Sequence, residues 1–344
     1  MSSKVRILSI DGGGIRGIIP GQILVKIEQK LKQKTGNPEA RIADYFDLIA
    51  GTSTGGILTC IYLTPDTQNP TRSKWSAQDA VNFYLNYGPE VFSLPWWRPI
   101  ITLSGLINHK FSPAPIERVL ATYFNDLKMS QLLKPCLIPT YDIEEKQGRF
   151  FTQHDPIEDA KKNYLVREVL RSTSAAPTYF PPGLVWSFLN DSYSLIDGGV
   201  FANNPALCAY AEVRTKFSPI KGETEKRPTA IDMVFLSLGT GKIMSYYKYQ
   251  NAKQWGKIGW IRPLIDIIMG GVDETVDYQL RQIYSAVEAP DQYLRINPIV
   301  DDGGSMAKID NVSKQNINAL VELGNDMAQE NNDKLDKFIE QFLL

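Results

Sequence analysis

Apolar positions along the chain switch between two spacings. Arg6 to Ile10 (RILSI) is short and β-branched, which predicts a strand. From Gly17 to Lys34 the apolar residues Ile18, Ile19, Ile23, Leu24, Ile27 and Leu31 recur at intervals of three and four, which predicts an amphipathic helix. Tyr45 to Ala50 (YFDLIA) is a second strand, and after GTSTGG the stretch GILTCIYL is an apolar helix. Cys136 to Thr140 (CLIPT), Tyr193 to Ile196 (YSLI) and Met233 to Leu238 (MVFLSL) read as further strands, and a helix starts over Val166 to Arg171. This alternation implies an α/β fold with a largely parallel sheet covered on both faces. In such sheets ligands sit at the carboxyl ends of the strands. The glycine-rich turns DGGG, GTSTGG and DGG each follow a strand, so their loops can converge on one edge. Pro65 to Lys74 and Ser218 to Pro228 are polar connections, neither long enough to mark a domain boundary, and no internal repeat is present.

Composition changes this picture little. At 344 residues, 43% hydrophobic and 22% charged, the chain has the make-up of a globular protein with a real core. A net charge of −1, without any block of lysine and arginine, gives no basis for nucleic-acid binding. Cys60, Cys136 and Cys208 are odd in number and far apart, which speaks against a disulfide framework and a CxxC metal site and for three buried thiols in a reducing compartment. The start, MSSKVRILSIDGGG, has a short apolar stretch broken by Arg6 and ended by Asp11, and reads as a first strand and not as a signal peptide. No run approaches the roughly 18 apolar residues of a membrane span. The expectation is a soluble, cytoplasmic protein.

The chemistry begins at Gly51-Thr52-Ser53-Thr54-Gly55, a G-x-S-x-G between a strand and a helix. In a nucleophile elbow the serine occupies a strained turn that lifts its Oγ above the sheet. The flanking glycines, Gly51 and Gly55, are needed because a Cβ there would collide with the neighbouring strand or helix. The helix N-terminus behind Ser53 favours developing negative charge. Such a nucleophile needs a base. The chain has only His109 (LINHKF) and His154 (TQHDP), and no histidine follows Asp197 in SLIDGGV, so the order Ser, Asp, His cannot be completed. Either one of the earlier histidines serves, or Asp197 acts directly on Ser53. The dyad is the better reading, because both histidines read as loop residues.

Taken together, DGGGIRG, GTSTGG and DGGVFANNPA resemble the patatin-like acyl hydrolases, which in turn resemble the catalytic domain of cytosolic phospholipase A2. STSAAPTYFPP (Ser172 to Pro182), MGGVDETVDYQL, QYLRI and VSKQNINALVELG extend the resemblance over nearly the whole chain. It implies a three-layer α/β/α patatin-like fold with a mainly parallel central sheet. A single domain is expected over residues 1–344, with a catalytic core near 5–215 and a C-terminal part near 229–344 packed on it. The resemblance further implies a Ser-Asp dyad that hydrolyses acyl groups from lipids through an acyl-enzyme. Ser53 matches the nucleophile, Asp197 the dyad acid within the motif completed by Gly198 and Gly199, and Gly12, Gly13 and Gly14 the oxyanion-hole loop. The implied substrates are phospholipids or glycolipids, by phospholipase A, lysophospholipase or galactolipase action, met in transient contact with a membrane surface; no cofactor or metal is implied. The secretory leader typical of the plant storage proteins is not seen, which argues against a vacuolar or storage role.

Gly12, Gly14 and Gly17 also satisfy G-x-G-x-x-G. A dinucleotide turn would need an acidic residue about 20 positions on, at the tip of a second strand. Glu28 falls inside the first helix and Glu39 in a polar loop, so the anion expected over these amides is a tetrahedral intermediate's oxygen. Arg16, one turn into the helix, reads either as a brace for the loop or as a contact for a lipid phosphate. Val91 to Ile107 (VFSLPWWRPIITLSGLI), with Trp96 and Trp97, reads as core, as the wall of an acyl pocket, or as an interfacial anchor. Trp255 and Trp260 with Lys253 and Lys257 form a second candidate contact. Competing readings are a non-catalytic lipid-binding or storage protein of the same fold, a nucleotide-binding oxidoreductase, and a nucleotide-switched membrane-degrading effector, for which no nucleotide site is visible.

Overall fold

A computed structural model describes residues 4–93, 109–217, 227–243, 247–300 and 305–344. Trp96, Trp97 and the side chain of Lys257 lie outside what is described. The centre of the sheet is β1 (Val5–Ile10), parallel to β2 (Leu48–Gly51) on one side and to β7 (Met233–Leu238) on the other. β3 (Cys136–Asp142) extends the parallel set beyond β2, and β9 (Tyr293–Ile296) extends it beyond β7. Every residue of β2 and β7 is buried, as strands covered on both faces must be. The sheet's other margin is antiparallel: β4 (Gln147–Thr152) and β6 (Ser192–Asp197) both oppose β3, and β5 (Gly183–Trp186) opposes β6. β8 (Lys242–Ile243) and β10 (Ile299–Val300) form a separate parallel pair.

Alternation along the strands builds two cores. Leu8, Ile10, Leu236 and Leu238 face one layer, with α1 (Ile18–Thr35), α2 (Thr54–Leu63), α3 (Ala77–Val91), α4 (Ala114–Phe124) and α5 (Val166–Thr173). Ile7, Leu48 and Phe235 face the other, with α6 (Ala206–Lys216) and α7 (Lys257–Ala286). The result is a three-layer α/β/α arrangement around a mostly parallel sheet. α8 (Lys314–Glu330) buries Ile317 and Leu320 in the same core as Ile19 and Ile23 of α1. The second strand starts later than its apolar pattern suggests, because Ile42–Tyr45 closes a helical turn first, held by the Asp44 carboxylate accepting the Arg41 N–H.

Register around β3 decides where the site forms. Leu137 pairs with both Ala50 and Thr152, and Thr140 pairs with both Arg149 and Asp197. A strand has only two edges, so β4 holds one edge of β3 while β2 and β6 share the other. The parallel β2 and the antiparallel β6 therefore run toward each other and end three β3 residues apart. The DGG turn reaches the carboxyl edge of the sheet from the opposite direction to the other two glycine turns.

Candidate active site

Ser53 occupies the gap between β2 and β6. Its backbone (φ 54°, ψ −118°) is in a region that residues with a Cβ rarely adopt, and it serves as the N-cap of α2. The turn that imposes this conformation is tight: a Cβ on Gly51 would lie 2.1 Å from the Gly55 carbonyl oxygen, and one on Gly55 2.2 Å from that of Ile10. The Ser53 N–H donates to Thr173 Oγ1 (3.0 Å), whose hydroxyl donates to the Pro139 carbonyl (2.7 Å). Thr52 Oγ1 donates to the Ala202 carbonyl (2.6 Å). The elbow is thus tied to β3, to α5 and to the turn after β6.

Asp197, at the end of β6, is only 3% exposed. Its Oδ1 accepts the Gly199 N–H (2.7 Å), and the Ser53 hydroxyl lies near enough to lower its pKa. Burial nevertheless pushes that pKa up to about 7, against the pull of the Gly199 N–H and the Ser53 hydroxyl. Neither histidine lines the cavity around Ser53. His154 Nε2 is 2.7 Å from Glu212 Oε1 and its ring stands edge-on to Phe217, on the side of β4 and α6.

The glycine loop after β1 is held differently from the sequence-based expectation at one position. The Gly12 N–H donates to the Asn203 carbonyl (3.1 Å), so it is committed, whereas Gly13 and Gly14 line the same cavity as Ser53 and Asp197. Gly14 has φ +59°, and a Cβ there would meet the Ile309 carbonyl at 2.3 Å. The Gly12 carbonyl accepts the Thr240 hydroxyl (2.6 Å). Asp11, buried at the end of β1, receives both arms of the Arg295 guanidinium, one at 2.9 Å, and Arg295 also donates to Ser237 Oγ (2.9 Å). Asn203 Nδ2 donates to both carboxylate oxygens of Asp273 on α7 (3.0 Å each). Burial and the charge of Asp11 push Asp273 up to about 8. Arg16 is buried beside the Gly13 and Gly241 carbonyls, and desolvation lowers its pKa to about 10, which leaves it cationic at neutral pH. Glu28 accepts Lys32 Nζ (2.8 Å) and the Ala77 N–H (3.1 Å), a structural placement far from any ribose-binding strand tip.

Thr173, Asn203, Asp273, Thr240 and Arg295 were not singled out by sequence reasoning. Asn203 stands inside DGGVFANNPA, Thr173 inside STSAAPTYFPP, Asp273 inside MGGVDETVDYQL and Arg295 inside QYLRI, so four of them lie within the segments that carry the resemblance. The cavity that opens at Ser53 has a polar end, formed by Gly13, Gly14, Ser53 and Asp197. Thr54 and Ser174 also line it, and most of the remaining wall is aliphatic and aromatic, including Ile57, Phe83, Val91, Phe92, Phe180 and Met269. Val91 and Phe92 belong to the apolar stretch read as core, pocket wall or interfacial anchor, and Val91 is also part of the core.

A family model of patatin-like phospholipases matches residues 8–210. The chain is 35% identical to patatin-like protein 3 of Arabidopsis thaliana, over 93% of this chain and 79% of that one. It is 34% identical to patatin-like protein 2 of Oryza sativa subsp. indica, over 96% and 85%. A Solanum tuberosum relative named probable inactive patatin-3-Kuras 1 is 31% identical, over 96% and 87%. With a matching model over more than half its length and relatives of this identity along most of it, the chain belongs to the patatin-like phospholipase family.

Proposed function

We propose that the chain is a lipid acyl hydrolase in which Ser53 is the nucleophile and Asp197 its base. The observation that carries this reading is the joint placement of a serine on a positive-φ turn and an aspartate with a raised pKa, at the polar end of an apolar cavity. A carboxylate of ordinary pKa, about 3.9, is a poor base for an alcohol. One poised near 7 is matched to neutral pH.

Asp197 takes the proton as Ser53 Oγ forms its bond to the ester carbonyl carbon. The oxyanion that results is met by the Gly13 and Gly14 N–H groups, each donor contributing on the order of 3 kcal/mol. Collapse breaks the bond to the alcohol, which leaves with the proton from Asp197. Water then gives a proton to Asp197 and attacks the acyl-enzyme, and Ser53 departs with that proton as the fatty acid is released. The apolar wall suits an acyl chain, and the committed Gly12 N–H fixes the loop without facing the oxyanion. Phospholipids and glycolipids are the proposed substrates, reached at a membrane surface. Among the described residues no helix is long and apolar enough to cross a membrane.

Labelling by a fluorophosphonate probe and hydrolysis of p-nitrophenyl esters test the reading, and lipid mass spectrometry on mixed phospholipids and galactolipids names the substrate. Wild type should label and turn over, and Ser53→Ala should do neither. Activity surviving in Ser53→Ala, or lost in His109→Ala or His154→Ala with folding intact, would overturn the dyad. A relative named as inactive keeps a lipid-binding, non-hydrolytic protein as the second reading, and an unlabelled but lipid-binding wild type would establish it.

A further inference from the structure

The two halves of α7 (Lys257–Ala286) present different chemistry to solvent. Val276, Leu280 and Tyr284, in the C-terminal half, are buried in the core beneath the sheet, while Met269, in the N-terminal half, lines the cavity with Ser53 and Asp197. On the opposite face the C-terminal half exposes Glu274, Thr275, Tyr278, Gln279 and Gln282. The N-terminal half exposes Trp260, Leu264, Ile267 and Ile268, at 42, 47, 47 and 40%. Spaced i, i+4, i+7 and i+8, these four side chains fall on one side of the helix and make one apolar stripe. A contiguous exposed patch of this kind marks an interaction surface.

Its surroundings indicate what covers it. Trp260 stands edge-on to Trp255 (5.0 Å between centroids), and Trp255 edge-on to Tyr247 (5.2 Å). Tyr249 is 76% exposed, and Lys253 lies 5.9 Å from its ring. Asp266, at the margin of the stripe, accepts a hydrogen bond from Tyr247 (3.0 Å). Aliphatic side chains bordered by tryptophan, tyrosine and lysine form the pattern of a surface that sits at the boundary between hydrocarbon and headgroups. The stripe adjoins the cavity on consecutive residues, Ile268 facing out and Met269 facing in.

We propose that the Trp260–Ile268 face of α7 seats the protein on the surface of an aggregated lipid, a bilayer or vesicle. The identity of the occupant rests on the hydrolase reading above. The test uses the full chain and vesicles of phosphatidylcholine with phosphatidylglycerol. Sedimentation is read in a Ser53→Ala background, so it needs no turnover, and activity is read separately on a monomeric short-chain ester. The triple variant Trp260→Ala/Leu264→Ser/Ile267→Ser should lose vesicle binding by roughly tenfold or more, given the apolar area removed. It should also lose vesicle-lipid hydrolysis to a similar degree and keep wild-type turnover of the monomeric ester. Glu274→Ala/Gln282→Ala, on the polar half of the same helix, should change none of these. Unaltered sedimentation of the triple variant, or no sedimentation of the Ser53→Ala parent, overturns the proposal. So does a wild-type dimer that the triple variant dissolves, because the stripe would then join two copies of the chain. Failure of the hydrolase reading shows separately, as absent turnover of the monomeric ester by wild type.

Discussion

Two aspartates in this chain share a local sequence and a burial but not a fate. Asp11 and Asp197 each end a strand, precede a run of glycines and are almost fully buried. Asp11 is matched by the two-armed guanidinium of Arg295, which joins the end of β1 to β9. Asp197 has no cation among its partners, only the Gly199 N–H and the Ser53 hydroxyl, and its pKa rises to about 7. Burial raises the pKa of Asp11 as well, but the bidentate Arg295 pulls against it, and the paired carboxylate serves as a fastener. A buried carboxylate given only neutral donors can accept a proton near pH 7. The contrast separates the structural D-G-G from the proposed catalytic one.

The largest expected effect removes the proposed catalytic member. Asp197→Asn should lower kcat/KM for a soluble ester by about 10⁴-fold with fluorophosphonate labelling greatly slowed, since losing a catalytic acid or base residue in hydrolases has effects of this order. The corresponding change at the other aspartate's partner should strike stability instead. Arg295→Met leaves Asp11 buried without its cation, which costs about 3–5 kcal/mol. Urea unfolding at pH 8 measures it. The loss should be smaller at pH 5, where an unpaired Asp11 can take up a proton.

The pH profile sharpens the comparison next. If Asp197 is the base, as proposed, its ionised form is needed, and kcat/KM should rise about tenfold per pH unit up to a midpoint near 7 and then level off. Stability runs the other way. With its folded pKa raised from 3.8 to about 7, Asp197 favours the folded state below pH 3.8, and that contribution is lost as pH climbs to about 7. At 1.36 kcal/mol per pH unit the loss approaches about 4 kcal/mol. Asp197→Asn should therefore unfold at a higher temperature than wild type at pH 8 and lose most of that advantage at pH 4. Equal melting temperatures at pH 8 would mean that the carboxylate is not strained by burial.

Ser53, Gly51 and Gly55 were legible in the sequence because a close-packed turn admits few residues, and the periodicity of the strands and α1 was legible because burial imposes it. Asp197 was legible as a strand-end acid. What was not legible is how it arrives: nothing local shows that β6 is antiparallel and shares an edge of β3 with β2. The partner of Asp11 is equally hidden, since Arg295 is 284 positions away and is delivered by the pairing of β9 with β7. The three glycines of the DGGG turn looked equivalent, and only the Asn203 carbonyl distinguishes Gly12 from Gly13 and Gly14. Side-chain chemistry could be read from spacing, and partners set by long-range register could not.

The smallest expected effect tests whether the strained turn is held from behind. Thr173 accepts the buried Ser53 N–H and donates to Pro139, so it connects the proposed nucleophile's backbone to β3 at the point where β2 and β6 meet. Thr173→Val keeps the shape and removes both bonds, leaving a buried N–H without its acceptor at a cost of about 1–3 kcal/mol. If that bond only stabilises the fold, the melting temperature drops and kcat is unchanged in the folded enzyme. If it also keeps Ser53 at φ 54°, where its oxygen meets Asp197, kcat should fall by about tenfold with KM little altered. Thr173→Ser should restore kcat, because a hydroxyl alone is what the Ser53 N–H requires. A valine variant with undiminished kcat would show that the glycine turn alone sustains the conformation.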